Sequence, residues 1–140
     1  SNFSKTGYES AHNLKYWNME TYLGFGSDAH SFDGNKRWSN ASSPVEYVEC
    51  CRNRAGPRVR TSQVDANRWT EDRLMTGLRQ MAGIRFFPNE LAAYEPQLAA
   101  MAANGWLELT GDTTWRLTST GVLFSNEVFQ QFLRANPNTR

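Results

Sequence analysis

At 140 residues and a formal net charge of +1, the chain is sized for one domain, or one small domain with part of another, and carries no general signal for a polyanionic partner. No apolar run approaches the roughly 20 residues that span a bilayer, and no signal peptide is visible. Cys50 and Cys51 are adjacent; on a helix they point about 100° apart rather than toward one metal, and free thiols outside a disulfide framework predict a reducing, cytoplasmic setting.

The chain opens on Ser1 without a methionine, and Ser1-Asn2-Phe3 reads as the end of a strand, the mark of a piece of a longer protein. Residues 1–6 read as extended, and Gly7 breaks them. Residues 9–18 read as a helix that stacks His12 and Tyr16 on one face and Asn13 and Trp17 on the next. A tight extended segment over 22–26 precedes two short strands, 29–32 and 36–38, around the turn Asp33-Gly34-Asn35. Ser43 before Pro44 is an N-cap followed by proline at the first helical position, and this helix runs to about residue 54, where Gly56-Pro57 ends it.

Residues 57–62 read as a linker. Ser62 is the expected cap of a helix reaching Met81, with Leu74, Met75, Leu78 and Met81 on its apolar face. A short extended piece follows over 83–87. Pro88 opens one brief helix through Tyr94, and Pro96 opens another through Met101, stopped by Asn104-Gly105. Residues 106–109 and 114–117 alternate as a hairpin. Thr118 caps a last helix whose buried side is Val122, Leu123, Phe129, Phe132 and Leu133. The fold class is therefore α+β, mostly α, and the second half, 63–140, has the element order of a winged helix.

A winged helix first raises DNA binding, but the charges argue against it. The helix that would enter the major groove offers Glu95, Gln97 and Asn104 and no lysine or arginine, and the wing tip carries Asp112. From Gln63 to Arg140 there are seven arginines and eight carboxylates, whereas DNA affinity rests on several cations at phosphates. A packing or docking module without a nucleic-acid partner is the favoured reading. Gly24-Phe25-Gly26-Ser27-Asp28-Ala29 matches the spacing of a dinucleotide fingerprint, yet a hairpin follows where that mechanism needs a helix N-terminus. What survives is that two glycines let the backbone approach a ligand or neighbouring backbone.

Several motifs together resemble the oxygen-independent coproporphyrinogen III oxidase-like proteins, the radical S-adenosylmethionine family that includes the heme chaperones. They are Ser1-Asn2-Phe3, Gly7-Tyr8-Glu9-Ser10, His12-Asn13 with Tyr16-Trp17, Tyr22-Leu23-Gly24-Phe25-Gly26 with Ala29-His30-Ser31, the run from Leu74 to Arg79, and Leu117-Thr118 with Gly121. The resemblance covers nearly the whole chain and keeps the family's order. It implies the C-terminal portion of such a protein: over 1–56 the end of a partial radical S-adenosylmethionine barrel with its helix and β-hairpin, then the 57–62 linker, then a winged-helix-like C-terminal domain. It also implies a [4Fe–4S] cluster on a Cys-x-x-x-Cys-x-x-Cys motif that this chain lacks, so the chain alone is expected to be inactive in radical chemistry.

Carried over residue by residue, the resemblance implies heme binding by His12, Asn13, Tyr16 and Trp17, with His12 as a heme-iron ligand. It implies that Gly24, Gly26, Ala29 and His30 lie near S-adenosylmethionine or porphyrin. Ser27-Asp28 stands where many relatives have Pro-Gly. The leading function is a heme chaperone segment whose partners are heme or porphyrin, a heme-acceptor protein, the N-terminal barrel of the same chain and, through exposed aromatics, a second copy. A coproporphyrinogen III dehydrogenase is the enzymatic alternative; a winged-helix DNA-binding regulator is disfavoured by charge.

Overall fold

The computed structural model describes residues 3–54 and 56–134. Its elements are helices α1 (Ala11–Trp17), α2 (Pro44–Arg52), α3 (Ala66–Gly77), α4 (Pro88–Ala103), α5 (Ser119–Leu123) and α6 (Ser125–Arg134), with strands β1 (His30–Phe32), β2 (Lys36–Asn40), β3 (Arg58–Gln63), β4 (Ile84–Arg85), β5 (Leu107–Leu109) and β6 (Thr114–Leu117). The chain divides into two compact units, one of Ser1–Asn18 with Trp69–Arg140, the other of Met19–Arg68.

The second unit is built on an antiparallel sheet in the order β1-β2-β3. Its first turn is set by Asp33, whose Oδ1 accepts the amides of Asn35 at 2.9 Å and Lys36 at 2.7 Å. Those two amides hold the Asp33 carboxyl below its ordinary range. Gly34, at φ +97°, supplies the left-handed residue the turn requires. The strand β3 corrects the sequence reading, which left 57–62 as a linker and made Ser62 a helix cap. Arg-Val-Arg-Thr-Ser-Gln shows no apolar alternation because this edge strand is exposed along its whole length. Ser62 pairs with Arg37, and the helix starts later, with Asp65 Oδ1 accepting the Arg68 amide at 2.8 Å.

The first unit holds the main core: Leu74, Leu78, Phe86, Tyr94, Leu98, Met101, Leu107, Leu117, Val128, Phe129 and Phe132. A second antiparallel sheet runs in the order β4-β6-β5. Two helices expected around Pro88 and Pro96 are one, α4, with Pro96 inside it. Glu90, Tyr94, Leu98 and Met101 recur on one buried face, while Pro96 is exposed. Packing of that stripe offsets the hydrogen bond that proline removes. The expected final helix is instead two, divided at Phe124. The break turns Leu123 outward to 83 % exposure and leaves Leu133 at 37 %, so neither is core. Met81 lies beyond the end of α3 and is exposed too.

The Leu117-Thr118-x-x-Gly121 motif has a mechanical explanation. Thr118 Oγ1 accepts the Gly121 amide at 2.9 Å and donates to the Gly105 carbonyl at 2.6 Å. A Cβ on Gly121 would sit 1.9 Å from the Trp106 carbonyl oxygen, so only glycine allows α5 to pass the Trp106 backbone this closely.

Two outcomes follow from this core. Phe132 is fully buried between Phe86 and Tyr94, so Phe132→Ala should lower the unfolding free energy by about 3–5 kcal/mol in denaturant titration. Burial, reinforced by the Glu71 and Glu90 carboxylates, pushes the Tyr94 phenol above its ordinary 10.0. The folded state therefore keeps this proton at pH values where the unfolded chain has lost it, and stability should fall as pH rises above 10. Absorbance titration at alkaline pH should show a late tyrosine component that Tyr94→Phe removes.

Candidate functional site

Ser10 opens α1, its Oγ accepting the Asn13 amide at 3.4 Å. The helix is fastened to α3 and the turn after it by two bonds. Thr76 Oγ1 donates to the Trp17 carbonyl at 3.3 Å, and Gln80 Nε2 donates to Asn18 Oδ1 at 2.8 Å. On this short, anchored helix the His12 imidazole is exposed and meets the Tyr16 ring edge-on, with centroids 4.9 Å apart and planes at 79°. Among the described residues nothing hydrogen-bonds the imidazole, so its nitrogens are open to a ligand. Asn13, Tyr16 and Trp17 are half-buried.

The glycine segment belongs to the second unit, and each of its glycines has a structural cause. A Cβ on Gly24 would fall 2.2 Å from the His30 carbonyl oxygen. Gly26 adopts φ +105°. The loop is held from several sides: Asn40 Nδ2 donates to the Gly24 and Gly26 carbonyls at 3.3 and 2.9 Å, Ser31 Oγ accepts the Gly24 amide at 3.0 Å, and the Tyr47 hydroxyl accepts the Gly26 amide at 3.2 Å. The close backbone approach read from the two glycines is thus, at Gly24, an approach to neighbouring backbone. Ala29 is half-buried and its carbonyl accepts the Asn40 amide at 2.9 Å, while the His30 side chain is exposed.

Asn40 and Tyr47 escaped the sequence reading, and Ser31 entered it only as part of a motif, because nothing in their local pattern announces a clamp; only the β1–β2 pairing and α2 bring them to the loop. The candidate residues thus fall into two sets, His12 to Trp17 on the first unit and Gly24 to His30 on the second. Cys50 and Cys51 lie on α2, half-buried and exposed respectively. Among the described residues no group of three or more His, Cys, Asp or Glu converges as a metal site. The donors present do not fit an iron–sulfur cluster. No helix among them is long and apolar enough to cross a membrane.

No protein-family model matches the chain. The fold is similar to part of the coproporphyrinogen III oxidase HemN of Escherichia coli, a radical S-adenosylmethionine enzyme, which superposes with a TM-score of 0.64 at 16 % identity, over 81 % of this chain and 28 % of that one. Among curated proteins the similarity is to heme chaperones. The chain is 34 % identical over 139 residues to heme chaperone HemW of Bacillus subtilis, and 31 % identical over 134 residues to that of Mycobacterium tuberculosis. Each match takes in 95 % of this chain, which spans only 37 % and 34 % of those proteins. The resemblance read from the motifs is thereby shown across most of the chain.

The departure at Ser27-Asp28 has a conformational consequence. Asp28 sits at φ +58°, in the left-handed region where glycine is unstrained. Its amide donates to the Ala41 carbonyl at 2.9 Å, a bond glycine would keep. Asp28→Gly should therefore raise stability by about 1 kcal/mol, read as a higher urea midpoint. A lower midpoint would assign the carboxylate a structural role.

Proposed function

We propose that this chain is the C-terminal part of a heme chaperone similar to HemW, whose parent binds heme and passes it to an acceptor protein. The observation that carries the reading is the exposed His12 imidazole, set edge-on against Tyr16 on an anchored helix, in a chain similar to heme chaperones over 95 % of its length. Imidazole is a common axial ligand of heme iron, and Trp17 and Tyr16 supply flat apolar and amphipathic surface beside it. Asn13 completes the motif. His30, exposed on β1, is the rival ligand. Gly24, Gly26, Ala29 and His30 are proposed to stand near S-adenosylmethionine or porphyrin in the parent.

Because the cysteines here cannot hold the cluster, its three ligands are assigned to the parent's remaining length. When bound, the cluster and S-adenosylmethionine would supply radical chemistry. In this reading residues 1–56 are the end of the barrel with its connecting helix and hairpin, and 63–140 are a winged helix used for packing or docking. Exposed Phe3, Tyr8, Leu23 and Phe25 support the idea that the first segment packs against the rest of the parent; a second copy of the chain is the rival occupant. The likeness to coproporphyrinogen III oxidase favours a dehydrogenase as the second reading, and a decarboxylation assay on the full-length protein separates the two.

Heme titration of the full-length protein, followed by the Soret band, tests the ligand. His12→Ala should shift the band and weaken binding, whereas His30→Ala should bind as wild type. The reverse pattern assigns the iron to His30. Unchanged binding in both returns His12 to a surface role.

A further inference from the structure

Between α4 and β6, within the first unit, runs a groove of about 390 Å³. Leu98 forms its floor, Leu91, Ala92, Glu95 and Ala99 its helical wall, and Trp115 the wall opposite. Leu109 pairs with Trp115 across the β5–β6 ladder, on the same face of the sheet, and is 51 % exposed. The apolar surface therefore continues from Trp115 to Leu109. Ala92 and Ala99 are exposed, and with no side chain beyond Cβ they let a second element come close to the backbone of α4. Leu91 and Leu98 lie two turns apart, about 10 Å along the helix axis, with Glu95 between them on the same stripe. That length matches the i, i+3 or i+4, and i+7 anchors of an amphipathic helix laid in a groove.

The charges around the groove are of one sign. From Phe86 to Trp115 the chain carries four carboxylates and no lysine, arginine or histidine. Two of the four are matched: Glu90 by Arg73, and Glu108 by Arg116 at 2.7 Å. Glu95 at the groove and Asp112 at the tip of the wing are paired with no cation among the described residues. We propose that this groove docks an amphipathic helix of a partner protein, its apolar anchors set against Leu91, Leu98 and Trp115 and a lysine or arginine beside Glu95. Charge complementarity selects this occupant. Nucleic acid and acidic segments would meet carboxylates here, and a second copy in a twofold contact would set Glu95 against its own kind. The proposal rests on the docking role proposed for residues 63–140 and gives it a surface and a partner; it needs neither heme nor iron.

The probe is a dye-labelled synthetic helix with leucines at i, i+4 and i+7 and lysines on its flanks, titrated into the full-length protein by fluorescence anisotropy at low salt. Its controls replace the lysines by glutamates or the leucines by serines. The wild type should bind the lysine helix and each control about tenfold more weakly. Glu95→Lys should weaken the lysine helix about fivefold, the scale of an exposed ion pair, and strengthen the glutamate helix. Ala99→Gln keeps a good helix former at an exposed position and fills the groove, so it should weaken both helices with an unchanged thermal melt. A lysine helix bound equally by wild type, Glu95→Lys and Ala99→Gln overturns the groove while leaving a docking role elsewhere; no binding by the wild type overturns groove and docking role together. A full-length dimer that Ala99→Gln dissociates in sedimentation velocity gives the groove to a second copy and overturns the partner. The Soret titration keeps the heme reading separate: heme bound without the helix overturns the groove alone, and the helix bound without heme overturns the heme reading alone.

Discussion

The buried pair of Arg73 and Glu90 ties together the three elements on which the first unit is organised. Arg73 lies on α3 and Glu90 in the first turn of α4, with side chains 12 % and 3 % exposed. Glu90 Oε2 also accepts the Phe87 amide at 2.8 Å, closing the N-terminus of α4, while Arg73 donates to the Arg85 carbonyl on β4 at 3.2 Å. The guanidinium packs 4.5 Å from the Phe87 ring centroid and 5.6 Å from that of Trp69. A buried ion pair contributes little net stability against an apolar substitute, but either partner alone leaves an uncompensated charge. The pair therefore acts chiefly as a register device: it fixes where α4 begins relative to α3, and so where Tyr94, Leu98 and Met101 meet the core.

From that register the rest of the first unit follows. With α3 placed, Thr76 and Gln80 stand where they can hold the end of α1. That anchoring matters because α1 has only seven residues and none is buried; a helix so short is marginal alone in water. Its His12 surface is rigid only as far as α3 makes it so. The Gly121 crossing does the corresponding work at the far end of the unit. It brings α5 against the Trp106 backbone, stacks Trp106 on Phe124 with centroids 5.2 Å apart, and leaves Leu123 facing outward.

The second unit achieves rigidity by a different route. It buries little apolar surface, chiefly Phe32, Ala41 and Val64, and relies on polar clamps. Asn40, 6 % exposed, spends its side-chain amide on two carbonyls of the glycine loop. Arg58, on the otherwise exposed edge strand, covers the Trp38 ring at 4.0 Å, a cation–π contact that shields an aromatic the small sheet cannot bury.

The sequence by itself determined most of the local structure, because caps and turns are encoded within a few residues. Ser43-Pro44, Asp33-Gly34-Asn35, Asn104-Gly105 and Thr118 act where their chemistry predicts. Phe129 and Phe132 were legible as core from helical spacing, and the motifs around His12, Gly24, Arg79 and Gly121 were legible as a family resemblance. Tertiary structure alone decided the remainder, in each case because a distant partner outweighs a local preference. The continuous α4 survives Pro96 because its opposite face is buried; β3 forms without apolar alternation because β2 offers it a ladder; Leu123 stays exposed because the break at Phe124 rotates it off the core face. Whether Gly24 meets ligand or backbone, and that Arg79 stands over the Phe129 ring, were likewise invisible along the chain, since each depends on residues brought close only by the fold.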